Sequence, residues 1–385
     1  MDSNWEKLPG HLLSYILNKV ELLSDYLQCT LVCRSWNGAA KDCESQLAKM
    51  RSCYRPPMLL ISNSTDEDNT WNVYSIIDNK VLDMQLEMPN VRFCGSSNGW
   101  LITMDKNFVV ILVNPFFRVK GRRKENSIIR LPPMNFPSHF HSLLYKKYAY
   151  KAIISADPIL NANDCIVVVI YEEQLRLAFI RLGKDATWTY IDESCRPIDD
   201  VIYAQHKFYA ADGKRGKLLS FDISTSVVEC VAPGVRQKGD YLKKYLVDSD
   251  GKRLLMVQRD ITYATWKRAT TQIEVRELDF DKYWWKRKNT LDGLAIFLGD
   301  NSSVSVLASN FPGCQPNCIY FNHDTDRMKR KFEDSGPHDF GIYNIEDKTF
   351  QFGTYSPQDR SFSQIFTLLK TTNQPPIWVV PTFQI

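Results

Sequence analysis

Histidine and net charge are both scarce in this chain, with six histidines and a formal charge of +4 in 385 residues. The histidines are scattered, and the close cysteine pair Cys314 and Cys318 has no companion pair beside it. The sequence therefore offers no zinc-type ligand set, and neither a metal nor any other cofactor is expected. The small basic excess (pI about 8.4) is spread along the chain, whereas nucleic-acid binding concentrates it on one face, so nucleic acid is not expected as a partner. No stretch approaches the ~18 apolar residues of a membrane span, and Met1–Lys7 holds two acids and no apolar leader. The expected setting is the nucleus and/or cytoplasm, with no membrane partner. There the ten cysteines are reduced thiols and the sequons at Asn63 and Asn301 stay unmodified. What the chain does have is 44% hydrophobic and 12% aromatic residues, enough to bury a large core.

Two periods divide it. From Trp5 to about Met50, Leu13, Ile16, Leu17 and Val20 fall at i, i+3, i+4 and i+7, one stripe of a helix with Pro9 in its first turn. Ser24-Asp25 reads as the cap of a second short helix, "DYLQCTLV", and "CRSWNGAAKDCESQLAKM" as a third with Trp36 near its start. Three short helices in so few residues make a marginal core that calls for a partner or a neighbouring domain.

After the Pro56-Pro57 break the period becomes two. Hairpins are expected in "NVYSIIDNKVLDMQL", "FVVILVNPFFRV", "LAFIRLGKDATWTYI", "KLLSFDISTSVVECV", "IEVRELDFDKYWWKR" and "FGIYNIEDKTFQF". Most come after another strand pair, such as "DVIYAQHKFYAADG", so the unit is about four strands in roughly 40 to 70 residues, as in propeller blades. Six blades are favoured and seven stay open, with a β-sandwich as the rival. The apolar "PPIWVVPTF" near the end is a spare strand that can complete the first blade near Leu59-Leu60-Ile61 and remove an exposed edge.

Gly95-Ser96-Ser97-Asn98-Gly99 matches the G-x-S-x-G nucleophile elbow, which needs a strand before the serine and a helix after it. The next residues are "WLITMD", a period-two run, so Ser97 belongs to a strand-to-strand turn and no catalytic residue is assigned. The glycines read as positive φ or close backbone approach.

The N-terminal segment resembles an F-box in Leu8-Pro9, in Leu13 with Ile16-Leu17, and in Val32-Cys33-Arg34-Ser35-Trp36. Residues 56 to 385 resemble the plant F-box-associated β-propeller of the KIB type. "GSSNGWLITMD", "LVNPF" with the later "RLPP", "DVIYAQHKFYAADG", "KYLVDSDGKRLLMVQRD", "FLGDNSSVSVLASNFPGCQPNCIYF" and "PPIWVVPTF" carry that resemblance. It implies a small all-α F-box of three helices over 1–50, a linker over 51–57 and an all-β propeller over 58–385. It also implies a Skp-type adaptor held by Leu8, Pro9, Leu13, Ile16, Leu17, Val32, Cys33 and Trp36. Through that adaptor come a cullin and a RING subunit, with the propeller selecting a protein target for ubiquitination. A regulatory scaffold without ubiquitin transfer is the alternative. Target-contact residues are not assigned, and the basic runs at 120–124 and 327–331 read as solvated loop charge or as nuclear-localisation signals.

Overall fold

β-Branched and aromatic residues alternating with polar ones suit a pleated, half-buried surface, and after Pro57 they build six sheets arranged as the blades of a propeller. The computed structural model describes residues 8–19, 29, 32–43, 56–62, 70–75, 80–88, 91–117, 127–135, 148–172, 175–191, 197–225, 227–235, 242–249, 251–264, 267–311, 313–323, 339–352 and 376–380. The expected second helix falls almost wholly outside these residues. Both basic runs fall outside them entirely.

Blade 1 consists, from the axis outward, of Ile377–Val379, Met58–Ser62, Thr70–Ser75 and Lys80–Glu87. Blade 2 holds Arg92–Ser97, Trp100–Met104, Val109–Val113 and Ile128–Pro133. Blade 3 holds Ala149–Ile154, Ile166–Tyr171, Arg176–Arg181 and Thr189–Tyr190. Blade 4 holds Ile198–Ala204, Lys207–Asp212, Leu218–Phe221 and Val228–Ala232. Blade 5 holds Leu242–Ser249, Arg253–Ala264, Lys267–Asp279 and Trp284–Lys288. Five of the six expected hairpins are the outermost strand pairs of their blades.

The remaining hairpin needs correcting. In "FVVILVNPFFRV" the strand Val109–Val113 stops at Asn114, because Pro115 has no N–H for the ladder and the Asn114 side chain accepts from the Phe116 N–H at 3.2 Å. Pro115–Phe117 form one 3₁₀ turn, and the strand's partner is Ile128–Pro133. Blade 6 departs from the four-strand pattern. Its order is Ser303–Leu307, Leu294–Leu298, Cys318–Phe321, Gly341–Asn344, Thr349–Phe352, and the second and third of these run parallel.

The cores lie between blades. Each of six buried clusters draws on two adjacent blades, from Trp71 of blade 1 with Phe93 of blade 2 round to Phe297 of blade 6 with Trp378 of blade 1. The last strand closes the ring. Ile377, Trp378 and Val379 pair antiparallel with Leu60, Leu59 and Met58. Trp378 is fully buried, donates from Nε1 to the Leu298 carbonyl at 2.9 Å, and meets Phe297 edge-on with ring centroids 5.1 Å apart. Ser302 Oγ donates to the Trp378 carbonyl at 2.8 Å and Asn322 Nδ2 to the Pro376 carbonyl at 3.1 Å.

Ending the chain at Gln374 removes this strand and exposes the edge Met58–Ser62. The loss is expected to be large against the ~5–15 kcal/mol of a typical domain. The shortened chain should aggregate or lose cooperative thermal unfolding. A monomer with an unchanged melting transition would show that the strand does not hold the ring.

Candidate functional site

Two surfaces are candidates: the N-terminal helices and the two ends of the ring. Helix α1 spans Gly10–Leu17 and starts directly after Pro9, whose carbonyl accepts from the Leu12 and Leu13 N–H groups; α2 spans Arg34–Asp42. Leu13, Leu17 and Trp36 are buried with Ala39, Ala40 and Cys43, and Leu8, Ile16 and Cys33 pack half-buried against them. Of the eight residues expected to meet an adaptor, this cluster gathers six, while Pro9 and Val32 lie exposed.

Leu12 and Tyr15, 41% and 63% exposed, add an apolar patch that a single helical stripe does not predict. The sequence does carry a signal for it. Leu12, Leu13, Tyr15, Ile16 and Leu17 make five apolar residues in six positions, more than one buried stripe of a short helix can use.

In the propeller, the inner strands of blades 2 to 5 begin at one end of the ring, and charged residues collect there. Lys151 of blade 3 pairs with Asp200 of blade 4, Lys243 of blade 5 with Asp300 of blade 6, and Lys244 with Asp199 at 3.1 Å. Asp200 also accepts from the Leu246 N–H at 2.7 Å, and Asn301 Nδ2 donates to the Phe93 carbonyl at 3.1 Å. Between blades 5 and 6, fully buried Arg259 reaches Asp339 at 2.8 Å and lies over the Phe321 ring at 4.6 Å. Thr270 donates to the same carboxylate from its N–H and its hydroxyl. These charges are matched across blade boundaries, so they act as clips of defined register. Replacing Asp339 by Ala strands a buried guanidinium and should cost ~3–5 kcal/mol, measured as a shift in denaturant midpoint.

Ser97 stands at the other end of the channel, beside a cavity of about 380 Å³ that Ser155, His206 and Asp248 also line. Asn98 (φ 50°) and Gly99 (φ 76°) form a two-residue turn, and Trp100–Met104 pairs straight back on the serine's own strand. The Ser97 hydroxyl donates to the Ile154 carbonyl at 3.1 Å. Gly95 is there for close approach, since a Cβ would lie 1.8 Å from the Ala152 carbonyl oxygen. No helix presents the hydroxyl. A fluorophosphonate probe is expected to leave Ser97 unlabelled, and stoichiometric labelling that Ser97→Ala abolishes would reverse this reading.

Burial pushes the thiols of Cys94 and Cys165 up to about 12 and those of Cys314 and Cys318 up to about 11, which keeps them protonated at neutral pH. Among the described residues no three His, Cys, Asp or Glu side chains converge as metal ligands would.

Comparison with known proteins agrees with both parts. The KIB1-4 beta-propeller family model matches residues 73–344, and an F-box-like model matches residues 5–46. The protein At5g55150 of Arabidopsis thaliana is 25% identical over 388 residues, covering 99% of this chain and 98% of that protein. F-box protein SKIP23 of the same plant is 24% identical over 382 residues, covering 89% of this chain and 91% of that protein. F-box protein At2g26160, also from that plant, is 21% identical and covers 82% of this chain and 95% of its own length. With the family match extending over more than half of its length and a six-bladed ring closed by its last strand, the chain belongs to the KIB1-4 beta-propeller family and carries an F-box-like region at its N-terminus.

Proposed function

We propose that this protein is the substrate-recognition subunit of an SCF-type ubiquitin ligase. The observation that carries the reading is the union, in one chain, of an F-box-like region over 5–46 and a closed propeller. In this reading residues 1–50 form the F-box, 51–57 a linker and 58–385 the target-selecting propeller. The exposed Pro9, Leu12, Tyr15 and Val32 meet a Skp-type adaptor directly. Leu8, Ile16 and Cys33 form the border of that contact, and Leu13, Leu17 and Trp36 hold the helices from beneath.

A cullin and its RING subunit come with the adaptor, and the protein acts in the nucleus and/or cytoplasm. The chain contributes no bond-making group. Its contribution is proximity: holding a target lysine near a charged conjugating enzyme raises their effective concentration.

Val32→Asp combined with Tyr15→Asp in the full chain places two charges in the contact. Co-purification with the adaptor should weaken by ~2 kcal/mol or more while the propeller's melting transition stays in place. Adaptor capture undiminished by both charges would remove this face from the contact. An unaltered complex that captures adaptor and target and, with cullin, RING and conjugating enzyme supplied, transfers no ubiquitin would make the protein a scaffold.

A further inference from the structure

Blade 5 is taller than its neighbour. Its middle strands, Arg253–Ala264 and Lys267–Asp279, run 12 and 13 residues, against 6 and 4 for Lys207–Asp212 and Leu218–Phe221 in blade 4. On the face toward blade 4, Leu254, Met256, Leu278 and Trp285 pack into the shared core. The same face continues past blade 4's shorter strands as Gln258 and Asp260, opposite Glu274 and Gln272. The overhang makes a groove of about 380 Å³, walled on the other side by Pro233, Gly234 and Val235 and within the ~300–1,000 Å³ typical of ligand sites. At that wall the backbone packs closely, since a Cβ on Gly234 would lie 1.8 Å from the Arg215 carbonyl oxygen.

Most charge in the groove is internally matched. Glu274 holds Arg276 at 2.9 Å and Arg287 at 3.3 Å and accepts from Gln272 Nε2 at 2.9 Å, while Arg276 Nε donates to Gln258 Oε1 at 3.3 Å. Three atoms are left over. Asp260 Oδ1, Gln258 Nε2 and Trp285 Nε1 are shut off from water with no hydrogen-bond partner, and Gln258 and Trp285 are each only 4% exposed. Burial, with the nearby Glu274 charge as the lesser cause, raises the Asp260 carboxyl, as expected of a carboxylate without a counter-charge. Trp284, 62% exposed, stands at the groove's outer end.

We propose that this groove docks an extended peptide segment of a target protein, with a Lys or Arg side chain of that peptide against Asp260. The proposal rests on the reading that the propeller selects a protein. A cation suits the partly exposed Asp260 carboxylate, and Trp284 offers a platform for a flanking apolar side chain. Nucleic acid fits worse. Both arginines are already committed to Glu274, and a phosphate would face the uncompensated Asp260.

The test uses the purified full chain and pools of capped nonapeptides that fix Lys, Arg, Ala or Glu at the centre. The Lys and Arg pools should bind in preference to Ala and Glu. Asp260→Asn should cut their binding about tenfold and bring them level with the Ala pool, and Trp284→Ala, at an exposed position, should weaken every bound pool. Melting curves on the same preparations confirm that each variant is folded. No pool bound, no preference for a central cation, or a preference that survives Asp260→Asn would overturn the proposal. Adaptor capture depends on the N-terminal helices and the peptide readout on blade 5, so failure of the ligase reading and failure of the groove register separately.

Discussion

Trp378 joins the last strand of the chain to the last blade, and that strand's ladder with Met58–Leu60 carries the join into the first. Every core in the ring is shared between neighbours. A blade without its neighbour would therefore expose one face of its sheet, and a single four-stranded sheet is poorly stable alone. A linear stack would leave two such faces. The ring leaves none, provided its ends meet, and here they meet through a fully buried indole, a stacked Phe297–Tyr320 pair beside it and two side-chain bonds to the closing strand's backbone.

Convergence toward the axis sets a second constraint. At one point the inner strands of blades 2 and 3 come too close for any side chain, since a Cβ on Gly95 would lie 1.8 Å from the Ala152 carbonyl oxygen. Where the strands begin there is room for long side chains, and the buried lysines and aspartates occupy it in pairs that cross blade boundaries. A buried pair adds little net stability over an apolar replacement, yet breaking one is costly. Their contribution is to penalise any slip of one blade against the next, which makes the ring stiff.

Local order was legible in the sequence, and of the non-local order the pairing of the closing strand with Leu59-Leu60 was as well, while the rest was not. Period two and turn residues located the outer hairpins, and the apolar content of "IWVV" located the closing strand, because both signals lie within a few residues of each other. Period two also located Ser97 in a strand-to-strand turn, since the residues directly after it form a strand and not a helix. The hairpin at Phe108 was misplaced because Asn114-Pro115 interrupts the apolar run without breaking its hydropathy. The inserted strand of blade 6 is not legible because a parallel pair is set by a crossover, here residues 299–317, and not by a turn signal. Lys151 with Asp200 and Lys243 with Asp300 lie 49 and 57 residues apart, so only the ring's geometry introduces them to each other. The groove has the same character. Gln258 and Asp260 read as ordinary outward-facing strand residues until blade 4 proves too short to cover them.

The two ends of the chain solve the burial problem in opposite ways. The propeller closes on itself and, among the described residues, buries its sheet faces between neighbouring blades, whereas the described helices bury six side chains and leave Leu12, Tyr15 and Val32 in water. A partner that covers those three binds the folded helices and not the unfolded chain, so it stabilises them by mass action. The N-terminal region is then completed by association while the ring is complete before it. An adaptor protein in the literal sense needs that asymmetry. One end should be secured by whatever machinery it joins, and the other should meet its target as a preformed surface whose selectivity does not depend on whether the machinery is attached.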